Sequence, residues 1–167
     1  MTPTQRMIRL AFSLGRQRMF STRMLIMLPI LLLFIPGMAW GFADPNLQLP
    51  AEQIPENATE TMFLASIGIV FAGTMAAVLI AHDGISRDRM NGVLEIRLSQ
   101  PMQRWRQGTV LVLGHWMSIA LPVTLLIVAS MMLVGYRSDM WIPFADAIVF
   151  IVAAALVLLW YTVFALL

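Results

Sequence analysis

The chain has 167 residues, of which 12% are Asp, Glu, Lys or Arg and 59% are apolar; an ordinary soluble domain carries about a quarter charged residues, so a soluble enzyme is excluded. It has no Cys, and all 11 of its basic residues are Arg, which excludes disulfides, thiolate nucleophiles, cysteine zinc sites, Schiff-base chemistry and a Walker-type phosphate loop. Any ATP-driven work therefore needs a separate ATPase subunit, and the formal charge of +2 is no sign of nucleic-acid binding.

Residues 1–23 hold Arg6, Arg9, Arg16, Arg18 and Arg23 and no acid. On a helical wheel Arg6, Arg9, Arg16 and Arg23 share an arc while Ile8, Phe12 and Met19 group elsewhere, which predicts a basic amphipathic segment at the membrane surface. A plain positive flank for the first span is the alternative. A cleaved signal peptide ending near Gly41-Phe42-Ala43 is disfavoured, because the leader and the apolar run are both long for one.

Four uncharged runs follow, 24–43, 61–81, 107–136 and 147–167, and about 20 apolar residues suffice to cross a bilayer core. The fold class they predict is all-α, a polytopic transmembrane bundle forming one membrane domain over 1–167, with spans at about 24–43, 61–82, 108–135 and 142–165. Pro29 and Pro36-Gly37 predict a kink in the first span. The loop 44–60 carries Asp44, Glu52, Glu56 and Glu60 and no base, and Pro45, Pro50 and Pro55 deny it long regular structure. Asn57 to Glu60 matches a capping box for the second span.

The second span has two ridges of small residues, Gly68-Ala72-Ala76 and Gly73-Ala77-Ala81. Close backbone approach over small side chains is what packs helices in lipid, so this span is the expected packing centre. Ten of the 11 Arg lie in 1–23 and 82–106. The bias of Arg in short loops predicts both chain ends and 83–107 in the cytoplasm, and 44–60 in the periplasm. Trp40 and Trp141 then belong to the outer interface, and Trp105 and Trp160-Tyr161 to the inner one.

Within 83–107, Gly92 and Pro101 bound a short stretch in which Met90, Val93, Leu94 and Leu98 share one helical face, with Glu95 and Arg97 off it. Such a segment lies on the bilayer, docks in a partner's groove, or serves as a solvated connector.

Arg87-Asp88, Gly92-Val93-Leu94-Glu95 and Leu98-Ser99-Gln100-Pro101 resemble the loop between helices two and three of type-2 ABC exporter permeases. Leu113-Gly114-His115-Trp116, followed by Leu121-Pro122, narrows the resemblance to the CcmB family, the haem-exporter permease subunit of cytochrome c maturation. The likeness covers roughly 85–145. Asn91 stands where the family usually has Asp, and Leu111 where many members have Lys. The family has six spans against four here, which implies a fragment or a shortened member.

The resemblance implies a permease subunit with no nucleotide site of its own in the bacterial inner membrane. Its partners would be a CcmA-type ATPase, CcmC-type and CcmD-type membrane subunits, membrane lipid and a second copy as homodimer, with no nucleic acid. Haem would be handled as cargo and held by no firm cofactor site. The ATPase-coupling contact would fall on Asp88, Met90, Gly92, Val93, Leu94, Glu95, Leu98 and Pro101, and the family motif of span three on His115, Trp116, Leu121 and Pro122. A different type-2 exporter, or a haem-binding scaffold coupled to no ATPase, are the alternative readings.

His82 and His115 are the two histidines of the chain. His115 falls about 12 Å into span three, eight residues at ~1.5 Å each, where it serves as an axial haem ligand or as a hydrogen-bonding packing residue. With no second ligand one turn away, packing is the expectation. The 14 Met are scattered and read as packing material. Asp146, one turn inside span four, should stay hydrated.

Overall fold

A backbone that crosses lipid must satisfy its polar groups internally, and only helices do so strand by strand. The computed structural model describes residues 3–46, 55–82, 90 and 103–167. Among these the chain forms α1 (Pro3–Met19), α2 (Thr22–Phe42), α3 (Ala58–Ala81), α4 (Arg104–Ser138) and α5 (Phe144–Leu166), with no strand. The last four are long and apolar enough to cross a membrane. The chain is an all-α, multi-pass membrane protein.

The inner pair of the bundle is α3 and α4; α2 packs on one flank of that pair and α5 on the other, while α1 packs on α4. Both small-residue ridges of α3 are buried. A Cβ at Gly68 would overlap the carbonyl oxygen of Phe34, so this ridge seats α3 on the backbone of α2. A Cβ at Gly73 would lie 3.3 Å from Leu158 Cδ2, so the second ridge faces α5. Between them Leu31, Ile35, Met62, Ile119 and Ile127 are fully enclosed. By contrast α5 buries only Leu158 and Thr162, and the rest of its surface is left for lipid or another subunit.

Local chemistry fixes the helix ends. Asn57 Oδ1 accepts from the Glu60 amide at 2.8 Å, and Glu60 Oε2 accepts from the Glu56 amide at 2.7 Å, a capping box shifted one residue outward from its usual return bond. Ser21 caps α2 by accepting from the Met24 amide. α2 runs through Pro29 and Pro36 without interruption, and α4 through Pro122. Asp139 ends α4 with φ 54°, a left-handed cap that a short polar side chain tolerates.

The two ends of the bundle differ in charge. At one lie Asp44, Glu56, Glu60, Asp139 and Asp146 with Arg137; at the other lie Arg6, Arg9, Arg16, Arg18, Arg23, Arg104 and Arg106. At the acidic end Arg137 Nη2 meets Asp44 Oδ2 at 2.5 Å, and its guanidinium stands 4.2 Å from the centre of the Trp40 ring. Thr59 donates to Asp146 Oδ2 at 2.8 Å, joining α3 to α5. At the arginine-rich end Arg23 donates to the carbonyls of Leu79 and His82, both at 2.8 Å, and so caps the C-terminus of α3 with a cation where the helix dipole favours one.

Candidate functional site

With 35 residues, α4 spans about 52 Å, far more than the ~30 Å of a hydrocarbon core. Its outer end is tied to α2 through Arg137, Asp44 and Trp40. Near the start of α2, Met19 and Phe20 share a groove with Met117 and Leu121. The first dozen or so residues of α4 therefore project beyond α2 and α3 at the arginine-rich end. His115 lies two residues before Met117, one of the residues that line that groove.

The projecting part of α4 is covered by α1. Leu14 packs on Gly114, and Gly15 approaches it so closely that an added Cβ would lie 3.1 Å from the Gly114 carbonyl oxygen and 3.4 Å from Met117 Cβ. Ala11, Leu14, Gly15 and Val110 are buried here. Ile8, Phe12 and Phe20 point outward. The helix thus has a small-residue face for α4 and a separate apolar face for its surroundings, of which the helical wheel shows only the second.

The motif residues of α4 radiate to different neighbours. His115 is fully enclosed, and its Nδ1 lies 2.8 Å from the Leu111 carbonyl; a carbonyl can only accept, so Nδ1 carries the proton. Ser118 donates back to the His115 carbonyl at 2.6 Å. Trp116 Nε1 donates across the bundle to the Ala155 carbonyl of α5 at 2.8 Å. Trp116 thus ties α4 to α5. Leu121 is half exposed on the α1 side, and Pro122 withholds the amide that would bond the Ser118 carbonyl.

Of the proposed ATPase-coupling residues, Met90 is described and is 80% exposed. Asp88, Gly92, Val93, Leu94, Glu95, Leu98 and Pro101 lie outside the described residues. The described residues that flank this segment, His82 after α3 and Gln103 before α4, are both at the arginine-rich end.

Three grooves are lined by described residues. One between α3 and α5, about 200 Å³, is lined by Phe63, Ile69, Phe150 and Leu158 among others. One at the acidic end, about 640 Å³, is bordered by Asn57, Thr59, Glu60, Trp141 and Asp146. The third, about 280 Å³, lies between α1 and α4. None of the three includes His82 or His115. Among the described residues no three of His, Asp and Glu gather as a metal site would need. His115, enclosed and bonded along its own helix, presents no open face to a haem plane.

Asp44 has its carboxyl held below the ordinary range, first by the backbone N–H of Asn46 and then by the Arg137 guanidinium, with desolvation opposing. The Arg137 joint links residues 93 positions apart. In the sequence its one trace is that Arg137 is the single Arg outside the two basic segments.

Comparison of the chain with protein-family models, curated proteins and solved structures finds no match.

Proposed function

We propose that this chain is the membrane permease subunit of an ABC-type complex for cytochrome c maturation, moved by a separate ATPase. The observation that carries the reading is the CcmB-like order Gly92-Val93-Leu94-Glu95, Leu98-Ser99-Gln100-Pro101, Gly114-His115-Trp116 and Leu121-Pro122. The four-span bundle supports it, as does the attachment of 83–102 to α3 and α4 at the end where the arginines collect. On the positive-inside rule that end faces the cytoplasm of a bacterial inner membrane. A CcmA-type ATPase would seat there on the Met90, Val93, Leu94 and Leu98 face with Glu95 beside it, and CcmC-type and CcmD-type subunits would pack within the membrane. Haem enters as cargo or as the load of a released chaperone.

The residues suggest how a push on this segment would travel. It joins α3 to α4, the central pair, so displacement is delivered to the best-packed elements. α4 carries it along a single helix, Trp116 passes part of it to α5 at Ala155, and Arg137 passes the remainder to α2 at Asp44 and Trp40. Movement at the cytoplasmic end then loosens or tightens contacts at the acidic end.

Deleting the gene and staining membranes for covalent haem tests the reading. The expected outcome is loss of holocytochrome c while apocytochrome is still made, restored by the wild-type chain. Normal c-type cytochromes in the deletion strain would contradict it.

A further inference from the structure

An arginine is out of place where Arg23 stands. It is the second residue of α2, whose first turn carries no acid, and a cation at a helix N-terminus opposes the helix dipole. A residue that breaks a local rule has its reason elsewhere in the fold. Here the reason is the end of α3, which lies beside the start of α2: Arg23 Nη1 donates to the carbonyls of Leu79 and His82, both at 2.8 Å. Leu79 belongs to the last turn of α3, whereas His82 is its C-cap and has already left the helical conformation, with ψ 138°. One donor therefore holds both the final turn of the helix and the peptide with which the chain leaves it. Further along the same pair, Gly68 rests on the Phe34 backbone and the Phe34 and Phe71 rings stand 5.3 Å apart, so α3 is secured to α2 along its length.

The other flank of 83–102 is built differently. α4 begins with Arg104 and Arg106, has no acid in its first turn and takes no side-chain cap from Gln103. The Trp105 indole donates to Gln103 and the Arg106 guanidinium lies over that ring, contacts that stay within the first turn. No residue from Gln103 to Thr109 is buried, and burial begins at Val110. We propose that Arg23 is the positioning residue of the ATPase-facing segment: it fixes the α3 root, so that a force on 83–102 is taken up by the first turns of α4. The proposal rests on the permease reading and names the residue that gives the push its direction.

The test uses the full chain, tagged in its own host and purified with its ATPase. Arg23→Met keeps an unbranched stem and removes the donors. It should leave ATPase recovery and ATP hydrolysis at wild-type levels while lowering holocytochrome c per inserted chain about tenfold, the weight of one charge-assisted hydrogen bond. Arg23→Lys, which keeps a cation with donors, should restore at least half. A helix cap with no other role would lower the amount of inserted chain and leave the yield per chain unchanged. Hydrogen exchange on the wild-type complex decides the matter if Arg23→Met does not insert. Adding ATP should leave the Ala81 and His82 amides exchanging as before and change those of Gln107 to Leu111 about fivefold. Wild-type yield per chain in Arg23→Met, loss of the ATPase from that variant, no rescue by Arg23→Lys, or faster exchange at His82 with ATP would each overturn the proposal. Absence of any ATP-binding protein from the wild-type preparation would overturn the permease reading itself, and this proposal with it.

Discussion

Gly68 and Gly73 are both buried glycines of α3, yet they differ in what a methyl group would meet. At Gly68 it meets the backbone of α2, which cannot turn aside; at Gly73 it meets the end of the Leu158 side chain, which can. Gly68→Ala should cost about 1–3 kcal/mol, the range of overpacking in a filled core. Gly73→Ala should stay within about 0.5 kcal/mol of wild type, since the helix-propensity gain offsets a small adjustment. Melting in a mild detergent, with exposed Gly108→Ala as control, distinguishes the two. His115 is the second case at this scale. As an enclosed residue bonded to its own helix, it should tolerate Gln with most function kept, whereas Ala should lower the yield by opening a cavity worth about 2–4 kcal/mol. Neither variant should change the Soret absorption of the purified complex, and loss of that band in both would mean that His115 ligates haem iron. Trp116→Phe keeps most of the apolar area and loses the donor to Ala155, a bond worth ~1 kcal/mol in lipid.

At the scale of elements, what the sequence makes legible is what is local or strictly periodic. The ridges of α3 repeat every four residues and have no use but packing, and the Asn57–Glu60 cap lies within four residues of chain. The seat of α1 was hidden because a wheel weighs hydrophobicity, so it selects Ile8 and Phe12, while the packed face is built from Ala11 and Gly15, small residues that score weakly. The joint of α2 to α4 links Asp44 to an arginine far along the chain, a pairing that spacing cannot reveal. The pH behaviour of this corner follows from the Asp44 carboxyl, whose folded pKa is held below the unfolded value first by the Asn46 backbone N–H and then by Arg137. The contribution is complete above about pH 4, the range in which an unfolded Asp ionises, and it fades as pH falls through the depressed value. The melting difference between wild type and Asp44→Asn should therefore be constant from neutral pH down to about 4 and shrink below it. A difference that vanished near pH 6 would assign it to another group.

For the whole molecule, the charge gradient and the packing describe a bundle with a closely packed centre and two unlike ends. Its acidic end is cross-tied by Arg137–Asp44 and Thr59–Asp146. Its arginine-rich end bears α1, the projection of α4 and the exit of the segment 83–102. The proposed function requires that an ATPase act on that segment. The direct measurement is to tag this chain in its own host, solubilise the membranes and ask which ATP-binding protein comes with it. A CcmA-type ATPase should co-purify with wild type. Leu94→Asp should abolish its recovery while the chain still inserts at normal levels, because an unpaired carboxylate forced into an apolar contact costs several kcal/mol. Recovery of the ATPase unchanged by Leu94→Asp, or no ATP-binding protein with the wild-type chain, would contradict the account.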